Sequence, residues 1–411
     1  MIPPDASPDG RSAVRAATAA PQARACEGKR PDGRARRLRA DGKPSPPPVF
    51  IGGEIYRHSS YGTRHPLSIP RVSTAIDLCR AMGWLDGAVY CDGPMASAAE
   101  LARFHDPAFI DAVWAAEAAQ RVDPVTSARF NLGRIDNPIF PEMYRRPATS
   151  AGAALLAADR LAEGPGVVYS PASGTHHARR DRASGFCYFN APVLGILRLL
   201  DHGFRRVLYV DIDAHHGDGV EEAFAGDGRV LTISVHEANR WPFTGTVEDR
   251  AGGTARNLPV PQGFNDTEMA YVMENAVLPL GRTFAPEVLV IQSGADALAE
   301  DPLSRLELSN HALWDAVRGL IPLAPRVLVV GGGGYNPWTV GRCWAGIWAI
   351  LSGHDPCEAP TPEAEDVLRA LTWHRAAGRN PPDHWFTTFA DTPRPGPVRD
   401  AVRAVVEEVL R

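Results

Sequence analysis

The sequence predicts an α/β fold, a single three-layer domain in which a central, mainly parallel β-sheet is flanked by helices. Two observations support this prediction. Short β-branched apolar runs recur along the chain, each ending in Gly, Ser, Asp or His, and amphipathic helical patterns separate them. Continuous apolar strands that alternate with helices are typical of a parallel sheet covered on both faces. No long linker interrupts the pattern between residues 49 and 390, so we expect one domain there.

The apolar runs and helical patterns give the individual elements. Strands are predicted at 164–170, 205–213, 229–236, 286–296 and 325–334. Helices are predicted at 150–163, 267–284 and 310–324. The final segment, residues 391–411, contains PVRDAVRAVVEEVLR, whose valines fall on one face of an amphipathic helix. That helix has two possible docking places, the domain itself or a second subunit, and the sequence leaves both open.

Residues 1–48 differ in composition from the rest of the chain. They contain no Phe, Tyr or Trp, are rich in Arg and Pro, and end in PSPPP. Such a segment cannot bury enough apolar surface to order itself, so we expect a disordered basic arm. It carries ten Lys and Arg against five Asp and Glu, which leaves the remainder with a net charge of −10. A body of that sign is a poor general partner for nucleic acid.

The bulk features also indicate a compartment. No apolar window approaches the roughly 18 uncharged residues that a membrane span needs, and the first residues lack the basic and apolar regions of a secretory signal. We therefore expect a cytoplasmic protein without a membrane partner. The six cysteines include no CxxC pair, a distribution that suits neither a disulfide framework nor a thiolate zinc site.

Polar residues cluster where the predicted strands end, which is where open α/β sheets bind their ligands. In VLYVDIDAHHGDG, residues Asp213 and His215 are two positions apart, so an extended backbone directs both side chains to one side. Carboxylate and imidazole are ordinary zinc ligands. Asp296, at the end of the strand EVLVIQSGAD, is the best third ligand. Three protein ligands and one open position are typical of a catalytic zinc.

Two further strand ends carry polar groups. His176 and His177 follow the strand GPGVVYS, and a glycine run leads to Tyr335 after the last predicted strand. Taken singly, each feature has an ordinary explanation as a cap, a turn or a solvated loop. Four strands that deliver such groups to one edge of a sheet have no evident use for stability, and together they indicate an active site.

The motifs resemble those of the zinc-dependent histone deacetylase family, which has the arginase/deacetylase fold. The resemblance runs in the family's order from about Phe50 to beyond residue 350. Within the family, the chain resembles the bacterial acetoin-utilisation-type deacetylases in particular. The motifs that carry it are THHA, GFCYFN at 185–190, VDIDAHHGDGVEEAF at 210–224, TISVHE at 232–237, QSGADALAEDPL at 292–303 and GGGGYNPWTVGRCW at 331–344.

The resemblance implies a role for each matched position. It implies one zinc ion per chain, held by Asp213, His215 and Asp296. It implies that His176 and His177 are the active-site imidazoles, with His177 the main general base and acid. The resemblance further makes Asp211 the partner of His176, Asp218 the partner of His177, and Tyr335 the phenol that donates to the substrate carbonyl. His216 is left without a chemical role, and we expect it to be structural.

Other matches concern the substrate and a second ion. Phe186 and Phe243 resemble the aromatic walls of a narrow acyl-lysine tunnel, although both also fit as core aromatics. The remaining substrate-binding candidates are the rim aspartate Asp136, the tunnel glycines Gly185 and Gly333, and Leu303. Arg71 resembles the arginine behind the site. A structural potassium near the carbonyls of Asp211, Asp213, His215 and Ser234 is typical of the family.

The chain departs from the family pattern at the tunnel mouth. It has FTGTV at 243–247 where relatives usually have FPGTG, and Ala191 replaces a common aspartate after Asn190. The shape of the mouth, and therefore the choice of substrate, does not follow from the sequence.

The expected function is zinc-dependent removal of acetyl groups from the ε-amine of lysine in proteins or peptides, with release of acetate. An alternative substrate class is acetylpolyamines or other small N-acetyl amines, but Leu303 after Asp301-Pro302 favours a neutral stem. A non-catalytic acyl-lysine-binding protein is a further alternative. A binuclear manganese ureohydrolase is disfavoured, since Gly217 and Gly294 stand where extra carboxylates would be needed. A homo-oligomer remains open.

Overall fold

The computed structural model describes residues 46–411, so the predicted basic arm lies outside the described residues except for its last three positions. In that part of the chain no helix has both the length and the apolar character of a membrane span. The central element is one eight-stranded sheet with the strand order β2-β1-β3-β8-β7-β4-β5-β6, and every strand pair is parallel. The predicted α/β fold is confirmed.

The bounds of the elements are as follows. The strands are β1 Val49–Gly52, β2 Tyr90–Asp92, β3 Gly166–Ser170, β4 Val207–Asp211, β5 Val230–Glu237, β6 Ala255–Val260, β7 Val288–Gln292 and β8 Arg326–Val330. The helices are α1 Ile55–His58, α2 Arg71–Ala81, α3 Ala98–Leu101, α4 Pro107–Ala119, α5 Pro124–Phe130, α6 Arg145–Glu163, α7 Ala191–Asp201, α8 Asp218–Ala223, α9 Asp266–Val272, α10 Leu278–Phe284, α11 Asn310–Leu320, α12 Pro337–Ser352, α13 Pro362–Arg369, α14 His384–Thr387 and α15 Asp400–Val409.

The two faces of the sheet bury separate apolar cores. In β4, Leu208 and Val210 belong to the core that contains α2, α9, α11 and α12, whereas Val207 and Tyr209 belong to the core that contains α4, α6 and α7. This alternation follows from the two-residue period of a strand. Because both faces are covered, the strands read as continuous apolar runs.

All five predicted strands are present, and three strands were not predicted. β1 and β2 have only four and three residues. β6 has the sequence ARNLPV, in which an arginine, an asparagine and a proline obscure the apolar pattern, and it lies at an edge of the sheet. Edge strands tolerate proline and polar residues because one side of their backbone has no partner strand.

The predicted helix 267–284 is interrupted. A π-helical segment, Met273–Val277, separates α9 from α10, and Pro279 lies in the first turn of α10. Proline has no amide hydrogen to donate to a carbonyl of the preceding turn. The π-helical segment changes the hydrogen-bonding register before Pro279, so fewer backbone carbonyls are left without a donor. At the end of the chain, α15 packs against β6 and α9.

The strand order brings the predicted polar segments together. β3, β8, β7 and β4 are consecutive in the middle of the sheet. Asp211, the last residue of β4, is paired with Gln292 of β7, and Ser170 at the end of β3 is paired with Val330 of β8. The loops that leave these four carboxyl ends therefore share one edge of the sheet.

Candidate active site

A candidate metal site lies at this edge. Asp213 and His215 follow β4, Asp296 follows β7, and one potential ligand atom from each lies within 4.8 Å of the others. His215 Nδ1 is 2.8 Å from Asp296 Oδ2 and 3.4 Å from Asp213 Oδ1. All three side chains are buried. The three predicted ligands therefore converge on one point.

The surroundings of the three residues fit a bound cation. Burial, followed by the charge of Asp213, raises the pKa of Asp296. Two buried carboxylates this close repel each other unless a positive charge lies between them. Their outer oxygens are held by backbone amides, with Gly333 N donating to Asp213 Oδ2 at 2.6 Å and Ala214 N donating to Asp296 Oδ1 at 3.1 Å. This oxygen and nitrogen set, oriented by amides, suits zinc.

Two imidazole–carboxylate pairs stand beside the candidate metal site. His176 Nδ1 donates to Asp211 Oδ2 at 2.8 Å, and His177 Nδ1 donates to Asp218 Oδ1 at 2.7 Å. The two rings are 3.9 Å apart between centroids. The carboxylates fix the proton on Nδ1 of each ring, so both Nε2 atoms are available for chemistry.

The two pairs differ in their charge environment. Burial lowers the pKa of His176, but Asp211 and Asp213 outweigh it and raise that pKa to about 9. Burial, followed by the charge of His176, lowers the pKa of His177 to about 4. Asp218 also accepts from Arg179 Nη2 at 2.6 Å, so its charge is shared. His176 is therefore the more basic of the two imidazoles.

Tyr335 is placed by the glycine run after β8. Its backbone amide donates to Asp301 Oδ2 at 2.6 Å, and the same carboxyl accepts from Leu303 N at 2.9 Å. Gly334, immediately before it, has a φ of 130°, which only glycine adopts readily. Burial raises the pKa of the Tyr335 phenol well above its usual value, so the group keeps its proton and can donate.

Gly185 and Phe186 form one wall of the approach to these groups. The Phe186 ring is 5.8 Å from the Tyr335 ring and 4.5 Å from His65. The amide of Phe186 donates to Asn137 Oδ1 at 3.1 Å. Asp136, the predicted rim residue, is half-buried, and its carboxylate accepts from Asn137 Nδ2.

On the other wall the structure corrects the residue assignment. Phe243 does not form the wall beside His177, since it is 73% exposed, whereas the indole of Trp241 packs 4.7 Å from the His177 ring. A Cβ added at Gly185 would lie 2.3 Å from that indole. The motif FTGTV predicts its phenylalanine as the wall residue, but the wall residue lies two positions earlier, before Pro242.

The remaining candidates surround the site. Leu303 is half-buried against the core that includes Tyr335. Arg71 donates to the carbonyl of Gly332 at 2.6 Å and lies over the Trp344 ring. A cavity of about 50 Å³ is lined by Arg71, His176, His177, Gly185, Phe186, Gly333 and Tyr335 among other residues. For the expected potassium, Asp211 and Ser234 are paired neighbours in β4 and β5, and the ion itself stays a prediction.

His216 points away from these groups. Its Nδ1 is 2.8 Å from Thr244 Oγ1 and its Nε2 is 3.1 Å from Glu221 Oε2. It therefore ties the loop that carries Trp241 to α8. The sequence patterns did not single out Trp241, Arg179 or Asp301. The only signal for Arg179 was its place two residues after the histidine pair.

Comparisons with known proteins agree with this geometry. The family model "Histone deacetylase domain" matches residues 65–351. Histone deacetylase 8 of Xenopus laevis is 38% identical over 267 residues, 63% of this chain and 81% of that protein. The acetoin utilization protein AcuC of Bacillus subtilis is 32% identical over 328 residues, 77% of this chain and 84% of that protein.

The fold of the chain is also similar to that of solved structures. The crystal structure of an HDAC homolog from Aquifex aeolicus matches with a TM-score of 0.84 and 34% identity, covering 89% of this chain and all of the other. A crystal structure of an HDAC homolog complexed with SAHA also has a TM-score of 0.84, with 33% identity and the same coverage. The chain belongs to the histone deacetylase family.

Proposed function

We propose that this chain is a zinc-dependent amidohydrolase that removes acetyl groups from the ε-amine of lysine in proteins or peptides and releases acetate. The observation that carries the proposal is the convergence of three buried metal-ligand side chains, two carboxylate-bound imidazoles and a protonated phenol at one edge of the sheet. Amide hydrolysis needs a Lewis acid, a base and an oxyanion donor within one site.

Asp213, His215 and Asp296 would hold the zinc. When bound, zinc supplies a Lewis acid that polarises the amide carbonyl and lowers the pKa of a water molecule toward about 7. The amides of Gly333 and Ala214 keep the two carboxylates turned toward that position.

His177 acts as the general base and then as the general acid. Its low pKa leaves it neutral at pH 7, and the Nδ1 bond to Asp218 leaves Nε2 free to take a proton from the attacking water. That proton then passes to the amine nitrogen as the C–N bond breaks. His176, held by Asp211 and the more basic of the two imidazoles, favours negative charge on the reacting carbonyl.

Tyr335 donates its phenolic proton in a hydrogen bond to the tetrahedral oxyanion. Burial keeps the phenol protonated, and its backbone is fixed by Asp301. A donor that is already oriented needs no reorganisation as charge develops, which is why such donors lower barriers.

The glycines near the metal ligands favour a single metal over a binuclear site. A Cβ at Gly294 would lie 2.0 Å from Asp213 Oδ2, and a Cβ at Gly217 would lie 2.4 Å from Asp211 Oδ2. These are the two positions where a binuclear centre would need additional carboxylates. The backbone has no room for a side chain at either one, which supports hydrolysis with one zinc ion.

The test is acetate release from an acetyl-lysine peptide by the zinc-loaded protein. His177→Ala and Tyr335→Phe should each lower kcat/KM by a factor of roughly 10² to 10⁴ without loss of bound zinc. His202→Ala, a half-exposed histidine paired with Asp159, is the control and should keep full activity. Full activity in either site variant would refute the roles, and a wild-type protein that binds the peptide but releases no acetate would indicate a binding protein.

A further inference from the structure

Large apolar side chains are exposed around the mouth of the site. Among residues 46–411 seven large hydrophobic side chains are exposed, and three of them lie in two loops beside the site. Ile135 is 97% exposed, Phe243 is 73% exposed and Trp241 is 37% exposed. Clustered apolar exposure costs solubility and marks a surface that contacts a ligand or partner.

Both loops contact the same dipeptide of the site wall. Residues 131–137 reach it through Asn137, whose Oδ1 accepts from the Phe186 amide. Residues 238–247 reach it through Trp241, whose indole lies against Gly185. Ile135 and Phe243 are each two residues from these contacts. They therefore belong to the two loops that contact Gly185 and Phe186, the dipeptide that forms one wall of the approach.

Hydrogen bonds hold both loops in place, so the exposed positions of Ile135 and Phe243 do not result from loop mobility. Arg240, next to Trp241, forms two bonds of 2.7 Å with the buried carboxylate of Glu237. Thr244, next to Phe243, is bound by His216. In the other loop, the amide of Gly133 donates to the carbonyl of Asn137 at 2.8 Å, closing a turn around Ile135. Fixed apolar groups bind with less entropic cost than mobile ones.

The charges beside the mouth add a second constraint. Arg64 and Arg134 are exposed and adjacent to His65 and Ile135, and neither forms an ion pair within residues 46–411. Asp136 is the single acidic residue in the two loops, residues 131–137 and 238–247. The charge of Arg240 is offset by Glu237. Unpaired guanidinium groups repel a cationic substrate, but they do not repel a neutral or acidic peptide segment.

We propose that Ile135 and Phe243 form a recognition surface for a peptide that carries a large apolar side chain next to the acyl-lysine. This inference rests on the proposed deacetylase function and specifies its substrate class. A free amine stem has no side chain to place on this surface, and a polyamine stem brings a positive charge to the arginines. Peptides are therefore the better substrates.

The experiment compares kcat/KM for acetate release from two acetyl-lysine peptides that differ only in having phenylalanine or serine on both sides of the modified lysine. We expect the wild type to prefer the phenylalanine peptide about tenfold, as expected for partial burial of a phenyl ring. Ile135→Ser and Phe243→Ser should each reduce that preference to about threefold or less, and the double variant should abolish it. The ratio is internal to each protein, so incomplete folding of a variant cancels.

Leu410→Ser removes another exposed hydrophobic side chain, 49% exposed and just after the end of α15, and should keep the wild-type ratio. N-acetylbutylamine and N-acetylputrescine serve as stems without flanking residues, neutral and cationic. If acetate is released from N-acetylbutylamine and both peptides react at equal rates, the recognition surface is refuted but the deacetylase function is not. A preference for N-acetylputrescine over the peptides would also refute it. No release from any probe would refute the proposed function itself.

Discussion

Arg179 shares the carboxylate that holds one of the two imidazoles of the candidate site. Its Nη2 donates to Asp218 Oδ2 at 2.6 Å, so the carboxylate that holds His177 is partly neutralised. The carboxylate that holds His176 has instead the neutral hydroxyl of Tyr209 as its third partner. The pKa of His177 is lowered to about 4 whereas that of His176 is raised to about 9. Burial and the charge of His176 are the main causes of the lowered pKa of His177, and Arg179 adds to them by offsetting the charge of Asp218.

Arg179→Met should shift the pH profile. Without the guanidinium, the full charge of Asp218 acts on His177 and raises its pKa. Since His177 must be neutral to accept a proton, the acidic limb of kcat/KM against pH should move upward by about 0.5 to 1 pH unit. Arg182→Met, an exposed neighbour that does not contact Asp218, is the control and should leave the profile unchanged. A downward shift or no shift would contradict this reading.

Gly333 is required because its backbone lies against the candidate metal ligands. A Cβ there would stand 2.0 Å from Asp296 Oδ2, and the glycine amide holds Asp213. Gly333→Ala should displace both carboxylates and weaken zinc binding by roughly 10- to 100-fold, measured as zinc content and acetate release after dialysis against a chelator. Gly228→Ala meets no atom within 4 Å and should behave as the wild type. Undiminished zinc in Gly333→Ala would contradict the geometry.

At the scale of elements, the C-terminal helix α15 is fastened by a buried ion pair. Arg399, just before the helix, donates to Glu268 Oε1 at 2.7 Å and Oε2 at 2.6 Å, and Glu268 is fully buried in α9. The valines of the helix join the core under β6. The segment from residue 391 therefore docks on the domain of its own chain.

Arg399→Met should lower the free energy of unfolding by about 2 kcal/mol, because it leaves a buried carboxylate without its cation while the guanidinium itself is partly exposed. The measurement is urea-induced unfolding. Arg411→Met, which removes an exposed pair with Glu408, should cost less than about 0.5 kcal/mol. The pair lowers the pKa of Glu268 below its usual 4.5, so its stabilisation is present at neutral pH and lost as the pH falls through that lowered pKa. If wild type and Arg399→Met still differ in free energy of unfolding at acidic pH, the stabilisation does not come from the Arg399–Glu268 ion pair.

The elements themselves were predictable to different degrees. Five of the six interior strands, β3, β4, β5, β7 and β8, were visible as apolar runs, because burial on both faces leaves little place for polar residues. The sixth, β1, has only four residues and was missed. The edge strand β6 was hidden by Pro259 and two polar residues, which its open side tolerates. The π-helical segment before Pro279 was equally hidden, because amphipathic periodicity does not report the hydrogen-bonding pattern of a helix.

At the scale of the whole molecule, a bound zinc would join β4 to β7, since its ligands come from both strands. Removing it leaves two buried carboxylates facing each other. Chelation should therefore abolish acetate release and lower the melting temperature by about 5 to 10 °C, and added zinc should restore both. In Asp296→Asn, which lacks one carboxylate ligand, the chelator should have little effect on the melting temperature. Full activity after verified zinc removal would refute the metal requirement.

The sequence by itself determined the α/β fold and the family, and it singled out the metal and histidine motifs as the candidate site. Those features are local: an apolar run marks a buried strand, and a spacing of two puts Asp213 and His215 on one side. Only the tertiary structure decided that Trp241 rather than Phe243 packs on His177, that Asp301 holds the Tyr335 amide, and that Arg179 shares Asp218. These contacts join segments 34 to 64 residues apart along the chain, and their loops take their conformations from the packing around them, which no local pattern encodes.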